Sequence, residues 1–181
     1  MNPWTLVDSK SIYRNPWIHV REDRVLRPDG QPGIYGVIEI PPSIAVLAVD
    51  QQDRLLLIGQ WRYTRNKYSW ELPIGASHTS DANIQDSAAR ELREEAGIQA
   101  EHWTALGTLE ASIGVTTDTQ WLFLATGLTQ GASTPDPDEQ LAVKWVPFAD
   151  AVHMVLRGEI CEAASTAAIL KLDALRRYKP L

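Results

Sequence analysis

The sequence contains a single cysteine, Cys161, among 181 residues, so no disulfide can form within the chain. A lone cysteine is expected to be a small buried side chain, and a reduced, cytoplasmic location is the corresponding expectation. No stretch approaches the roughly 18 consecutive apolar residues that span a membrane, and the first residues lack a basic segment followed by an apolar one. These absences argue against a disulfide scaffold and against a membrane partner.

An excess of positive charge is also lacking. The formal net charge is −6, from 17 Lys and Arg against 23 Asp and Glu, which disfavours nucleic acid as a partner. The four histidines show no metal-ligand spacing, which disfavours a zinc site. The sequence has no internal repeat, and its length suits one main domain with a substantial core.

The order of the predicted elements divides the chain in two. Residues 1–40 predict three short strands separated by turn signals, and Pro41-Pro42 marks a boundary. A sheet of three short strands buries little apolar surface by itself. We therefore expect it to pack on its own chain or on a second subunit. Residues 41–181 mix strands and helices without regular alternation, which favours an α/β sandwich over a doubly wound sheet.

The stretch of residues 75–98, whose second half (residues 90–98) is densely charged, predicts a helix that is capped at its start by Ser80 or Asp81 and ends at Gly97. An apolar row at spacing four would face the core; it consists of Ala88, Leu92 and Ala96. Three carboxylates share another side of the helix, at separations of three and four; these are Glu91, Glu94 and Glu95.

Like charges four residues apart destabilise a helix by roughly 0.2–0.5 kcal/mol per pair unless a cation joins them. A hard divalent cation such as Mg²⁺ takes oxygen ligands of this kind. Arg90 lies four residues before Glu94 and is expected to pair with it. The alternative is an ordinary solvated helix of mixed charge.

The residues around this helix resemble the Nudix box. That pattern is a glycine, five residues, a glutamate, seven residues, and then Arg-Glu-U-x-Glu-Glu-x-Gly-U, where U is a bulky aliphatic residue. The second half is matched in full from Arg90 to Ile98, but Gly75 lies one residue too far away and Ala82 stands where the family has glutamate. Asp81 is adjacent and is expected to replace that glutamate in part. The resemblance implies a Nudix-type α/β/α sandwich with a mixed sheet, plus a small N-terminal antiparallel β extension.

The resemblance extends beyond the box. Residues 60–63, 70–75 and 158–166 look like the Nudix hydrolases that act on ADP-ribose and other nucleoside diphosphate sugars. The implied reaction is Mg²⁺-dependent hydrolysis of the pyrophosphate bond to a nucleoside monophosphate and a sugar phosphate. Ser112-Ile113-Gly114 departs from the Ser-Pro-Gly of ADP-ribose pyrophosphatases, which makes GDP-mannose a comparable substrate. The alternatives are a Nudix hydrolase of nucleoside triphosphates or dinucleoside polyphosphates, and a Nudix-fold binding domain without turnover.

The same resemblance implies roles for individual residues. Mg²⁺, or Mn²⁺ in its place, would bind Glu91, Glu95, Glu94 and the backbone carbonyl of Ile74. Arg90 and Glu94 are further catalytic candidates. The general base is expected in the acidic loop of residues 134–140, at Glu139 with Asp138 in reserve. The alternative is an acidic turn that is only exposed to solvent.

Substrate-binding candidates lie outside the box. Arg62 and Glu71 are two of them, and Arg62 is expected either to bind a phosphate or to pair with Glu71. Trp17, in the N-terminal extension, is expected to stack on the nucleobase, with core packing as the alternative. Asp118 is a further candidate contact. In this branch the extension contributes to a dimer, so the resemblance implies a homodimer in which residues 1–40 serve dimerisation and substrate binding and residues 41–181 form the hydrolase domain.

Overall fold

The computed structural model describes residues 2–78, 80–134 and 140–178 of the chain. The strands are β1 (Thr5–Arg14), β2 (His19–Leu26), β3 (Pro32–Glu39), β4 (Ser43–Ala48), β5 (Arg54–Arg62), β6 (Lys67–Glu71), β7 (Ile74–Ala76), β8 (Ile98–Leu109), β9 (Gln120–Gln130) and β10 (Ala142–Pro147). The helices are α1 (Ile84–Ala96), α2 (Phe148–Leu156) and α3 (Ala163–Tyr178). The chain divides into two compact units, Met1–Pro42 with Glu110–Thr119 and Ser43–Leu109 with Gln120–Leu181.

The first unit is built on an antiparallel sheet in the order β1-β2-β3. The segment Glu110–Thr119 joins this unit through two backbone hydrogen bonds to Ile38. The Ile38 N–H donates to the carbonyl of Val115 (2.8 Å), and the Thr117 N–H donates to the carbonyl of Ile38 (3.0 Å). Every residue of β1 is exposed, because three strands cannot bury both of their own faces.

The second unit contains a mixed sheet in the order β7-β4-β9-β8 and an antiparallel sheet in the order β10-β5-β6. Strand β4 pairs with β9 in parallel and with β7 in antiparallel orientation. Side chains of β4 alternate between two apolar cores, because successive residues of a strand point to opposite faces. Ala45 and Leu47 belong to one core, and Ile44 and Val46 belong to the other.

Helices cover both of these cores. Helices α2 and α3 contribute apolar residues to the core that contains Leu47, and α1 contributes to the core that contains Val46. The layers therefore run helix, sheet, helix, which confirms the predicted α/β/α sandwich with a mixed sheet. In the described part of the chain, no helix is both long enough and apolar enough to cross a membrane.

Helix α1 is one of the best-predicted elements, although its N-terminal cap is not. Its apolar row is buried as expected, with Ala88 and Leu92 fully covered, and Gly97 ends the helix in the left-handed conformation at φ 68°. The prediction of Ser80 or Asp81 as the cap is wrong. The side chain of Asn83 caps the helix by accepting a hydrogen bond from the Asp86 N–H (3.0 Å), because Asn83 is the extended residue immediately before the first turn.

The expectation of a buried Cys161 is also wrong. Cys161 is exposed, because it lies in the short connection between α2 and α3 rather than in either helix. Lys67 Nζ donates a hydrogen bond to its sulfur (3.0 Å). The next residue, Glu162, accepts hydrogen bonds from the backbone N–H groups of Ala164 (2.9 Å) and Ser165 (2.7 Å) at the start of α3.

Candidate active site

Helix α1 carries the three predicted carboxylates at graded depth. Glu95 is buried, with 4% of its surface exposed, whereas Glu91 and Glu94 are half-buried. The depth of Glu95 follows from the helical period, because it lies three residues after Leu92, whose side chain is fully buried in the core beneath the helix. A buried carboxylate is costly unless hydrogen bonds or cations compensate it.

Arg90 connects two of these carboxylates. Its Nη1 donates to Glu91 Oε1 (2.7 Å) and to Glu94 Oε2 (2.9 Å), and its Nη2 donates to the carbonyl of Ala76 (2.9 Å). The predicted pairing of Arg90 with Glu94 is confirmed. Burial disfavours the charged guanidinium, but the hydrogen bonds from Arg90 to Glu91 and its other acidic neighbours outweigh this and raise the pKa of Arg90. Arg90 therefore remains a fixed cation among acids.

The opposite edge of the Arg90 guanidinium faces Asp81. Asp81 Oδ2 lies 3.4 Å from Arg90 Nε and 3.3 Å from Nη2, and it accepts a shorter hydrogen bond from Ser87 Oγ (2.7 Å). The Ser87 hydrogen bond, together with those from Arg90 and the backbone N–H of His78, lowers the pKa of Asp81 to about 2. Ser87 and Asn83 were not predictable from the sequence, because a buried serine and a capping asparagine carry no motif of their own.

Strand β7 brings a glycine against the same helix. A β-carbon at Gly75 would overlap the carboxylate atoms of Glu91, so the Glu91 carboxylate lies directly against the Gly75 backbone. The preceding residue is Ile74, whose carbonyl is a predicted metal ligand, and Ile74 pairs with Ala45 of β4. Strand β7 and helix α1 thus bring together the part of the site that contains Ile74 and Glu91.

The residues of this site fit a hard divalent cation by their chemistry. The predicted ligands are carboxylate and carbonyl oxygens, which suit Mg²⁺ and Mn²⁺. No three Asp, Glu, His or Cys side chains within residues 2–78, 80–134 and 140–178 converge on a single point as a finished metal cluster. A carboxylate has two oxygens, so a hydrogen bond from Arg90 at one oxygen is compatible with a metal bond at the other.

Arg62 and Glu71 form an ion pair across β5 and β6. Glu71 is buried, with 2% of its side chain exposed, and Arg62 Nε donates to both of its carboxylate oxygens at 3.1 Å. Burial lowers the pKa of Arg62, but its hydrogen bonds to Glu71 and the nearby charges of Glu95 and Glu162 raise it by more. Of the two alternatives for Arg62, the structure contains the pairing with Glu71, and phosphate binding stays a prediction.

Two further substrate candidates lie in the first unit. Trp17 is 71% exposed, so the alternative of core packing within the chain is wrong, and it lines a surface pocket of about 360 Å³ with Arg14, His19 and Glu39. Asp118 is half-buried and its N–H lies 3.4 Å from Thr116 Oγ1. The predicted base Glu139 and its reserve Asp138 lie outside the described residues.

Comparison with known proteins assigns the chain to one family. The model of the NUDIX domain matches residues 39–167, and a model described as the nucleoside diphosphate sugar hydrolase N-terminal domain matches residues 4–38. This chain is 31% identical over 171 residues to the ADP-ribose pyrophosphatase of Mycobacterium tuberculosis, covering 93% of this chain and 83% of the relative. It is 26% identical to the ADP-ribose pyrophosphatase of Bacillus subtilis, covering 96% of each.

A solved structure described as an ADP compounds hydrolase shares the fold, with a TM-score of 0.87 at 18% identity, covering 98% of this chain and 96% of that structure. The chain belongs to the Nudix family of hydrolases. Its two matched domains together make it a hydrolase of nucleoside diphosphate sugars, which acts on the pyrophosphate bond. The predicted family, enzyme class and substrate class are therefore confirmed.

Proposed function

We propose that this Nudix hydrolase uses Mg²⁺ to cleave ADP-ribose to AMP and ribose 5-phosphate, and that it works as a homodimer in the cytoplasm. The observation that carries the proposal is the match of two domain models in succession. The nucleoside diphosphate sugar hydrolase N-terminal domain matches residues 4–38, and the NUDIX domain matches residues 39–167. ADP-ribose is preferred within this class because two relatives that align along nearly the whole chain are ADP-ribose pyrophosphatases.

The metal site of the proposal is the group of oxygen donors on α1 and β7. Glu91 and Glu95 are the main ligands, Glu94 is a further ligand, and the carbonyl of Ile74 completes the set. Burial of Glu95 and the close approach of Glu91 to the Gly75 backbone support this assignment. When bound, Mg²⁺ would neutralise diphosphate charge and lower the pKa of the attacking water.

The proton-transfer step requires a base near the attacking water. We assign it to Glu139, with Asp138 in reserve, on the strength of the family resemblance of the acidic loop. The strand that follows this loop, β10, pairs with β5 from Ala142 to Pro147. Thr134, the first residue of this loop, is attached to the metal-site helix, because its N–H donates to the carbonyl of Glu94 (3.0 Å).

The proposed substrate contacts divide between phosphate and base. Arg62 is held in place by Glu71, and the raised pKa of its guanidinium keeps it positively charged. A fixed positive charge of this kind suits a diphosphate. Trp17 presents an exposed indole on which a nucleobase can stack, and Asp118 is proposed as a hydrogen-bond acceptor for the substrate.

We assign dimerisation to residues 1–40 and hydrolysis to residues 41–181. Large apolar side chains are more than half exposed in the N-terminal sheet and its turn; they are Leu6 (60%), Val7 (57%), Ile12 (54%), Tyr13 (55%), Trp17 (71%) and Ile34 (69%). Exposure on this scale in a single sheet is typical of a surface that a protein partner covers. A second copy of the chain is the proposed partner.

A substrate panel tests the proposal. Purified protein would be incubated with ADP-ribose, GDP-mannose, UDP-glucose, nucleoside triphosphates and dinucleoside polyphosphates, with Mg²⁺ or with EDTA, and the products identified by mass. Mg²⁺-dependent release of AMP and ribose 5-phosphate, faster than any other cleavage, is the expected result. Faster cleavage of GDP-mannose would show that GDP-mannose, and not ADP-ribose, is the preferred substrate. Turnover of triphosphates alone would contradict the proposal.

A further inference from the structure

Asp81 lies in the turn before α1, where it accepts hydrogen bonds from several directions at one oxygen. Its Oδ2 accepts from Ser87 Oγ at 2.7 Å and from the backbone N–H of His78 at 3.2 Å. Both nitrogens on the near edge of the Arg90 guanidinium lie 3.3–3.4 Å from the same atom. Ser87 is itself buried, with 1% of its surface exposed, so the contact between Asp81 and Ser87 lies against the packed N-terminal end of α1.

Arg90 transmits this contact to the carboxylates. A guanidinium is planar, so fixing its Nε edge also fixes the direction of Nη1 on the far side. Nη1 is the atom that donates to Glu91 and Glu94, at 2.7 and 2.9 Å. Nη2, on the edge that faces Asp81, also donates to the carbonyl of Ala76 (2.9 Å). Asp81 and Ala76 together therefore determine where Arg90 holds the two glutamates.

The sequence departs from the box pattern at this point. The box that the helix resembles has a glutamate at the position of Ala82, which is exposed here and carries no acid. Asp81 supplies a carboxylate from the preceding position, with a side chain one methylene shorter than that of glutamate. It accepts hydrogen bonds from Arg90, Ser87 and His78.

We propose that Asp81 is a positioning residue that takes over from the missing glutamate by anchoring Arg90, and through Arg90 holds Glu91 and Glu94 in place to bind the divalent cation. The inference rests on the proposed function, because it requires these glutamates to be metal ligands. It assigns Asp81 no bond to the metal, since the oxygen that faces the helix is already the acceptor for Arg90 and Ser87.

Mn²⁺ binding in the absence of substrate, monitored by electron paramagnetic resonance, tests this role separately from turnover. Four proteins would be titrated: wild type, Asp81→Ala, Asp81→Ala combined with Ala82→Glu, and Asp86→Ala. Asp86 is a matched control, because it is an exposed acid in the first turn of the same helix and its carboxylate accepts a hydrogen bond from Asn83 Nδ2 (2.9 Å) rather than from Arg90. Loss of an outer-shell partner typically weakens metal affinity by about 10–100-fold.

The expected result is a loss of about 10-fold or more in Mn²⁺ affinity for Asp81→Ala, at least partial recovery when Glu is placed at position 82, and near wild-type affinity for Asp86→Ala. The number of Mn²⁺ ions bound per chain should not change. Wild-type affinity in Asp81→Ala, no recovery in the double variant, or a loss of one bound ion would each overturn the inference. Wild-type protein that binds no Mn²⁺ would instead overturn the proposed function, and this inference with it.

Discussion

Gly75 lies so close to Glu91 that the glutamate carboxylate fills the space where any side chain at position 75 would begin. The contact joins β7 to α1 and fixes the position of one proposed metal ligand from the strand side. Arg90 fixes the same carboxylate from the helix side, with Nη1 2.7 Å from Glu91 Oε1. The position of Glu91 is therefore determined by two independent elements.

Gly75→Ala should displace Glu91 and weaken metal binding. We expect a loss of about 10–100-fold in Mg²⁺-dependent kcat/KM, together with a stability cost of about 1–3 kcal/mol from overpacking. Chemical denaturation and steady-state kinetics measure the two effects. The control is a double-mutant cycle in which the stability cost of Gly75→Ala disappears in a Glu91→Ala background, because the clashing carboxylate is then absent. An equal cost in both backgrounds would show that the contact is unimportant.

Glu71→Gln should destabilise the second unit by leaving Arg62 without its carboxylate partner. Glu71 is almost fully buried while Arg62 is 37% exposed, so solvent screens part of the loss and we expect about 1–3 kcal/mol by urea denaturation. Glu159→Gln is the matched control, because Glu159 pairs with Arg157 on the exposed surface and its loss should have no measurable effect. Equal effects of the two substitutions would contradict the structural role of the pair formed by Arg62 and Glu71.

Acid should remove the contribution that Asp81 makes to stability. The folded-state pKa of Asp81, about 2, is lower than the ordinary value of 3.8, so its stabilisation is fully present above pH 3.8 and is lost as the pH falls through about 2. Asp81→Asn should therefore melt at a lower temperature than wild type at pH 5 and converge with it near pH 2. Thermal denaturation monitored by circular dichroism measures both curves. A constant difference across this pH range would contradict the proposed environment of Asp81.

A charge at an exposed apolar residue of the N-terminal sheet should prevent dimerisation. Ile34→Asp and Leu6→Asp introduce a carboxylate at residues that are 69% and 60% exposed in the single chain. Light scattering after gel filtration should give twice 20.2 kDa, or about 40 kDa, for wild type and about 20 kDa for these variants. Val143→Asp, at an exposed apolar residue of β10 in the other unit, should remain dimeric. A monomeric wild type would exclude the dimer.

The residues of the box were predictable because their signal is local. The helical period gave the buried row at Ala88 and Leu92, and a glycine after the last turn gave the left-handed cap at Gly97. Exposure of Cys161 was not predictable, because its burial depends on where two helices end rather than on its own chemistry. The choice of Asn83 over Asp81 as the cap depended on contacts with Ser87 and Arg90 that close only in the folded chain.

Long-range assignments were similarly out of reach. The segment Glu110–Thr119 joins the first unit through bonds to Ile38, which is more than seventy residues away in sequence, and no periodicity encodes such a contact. The partner of Arg62 remained open between a phosphate and Glu71 for the same reason. In the register of β5 against β6, Arg62 lies opposite Lys67 and Glu71 lies opposite Ile58, so the ion pair between Arg62 and Glu71 runs diagonally between the strands and could not be predicted without that register.

The measurement that tests the central claim most directly is the rate of ADP-ribose hydrolysis in the presence of Mg²⁺. Wild type and Glu95→Gln would be compared side by side, with the reaction monitored by ³¹P nuclear magnetic resonance. Glu95 is the most deeply buried carboxylate of α1, and glutamine has nearly the same shape without the charge. We predict AMP and ribose 5-phosphate from wild type and a rate lower by about 10²–10³-fold or more from the variant. Comparable rates from the two proteins would contradict the claim that the acids of α1 bind the metal used for catalysis.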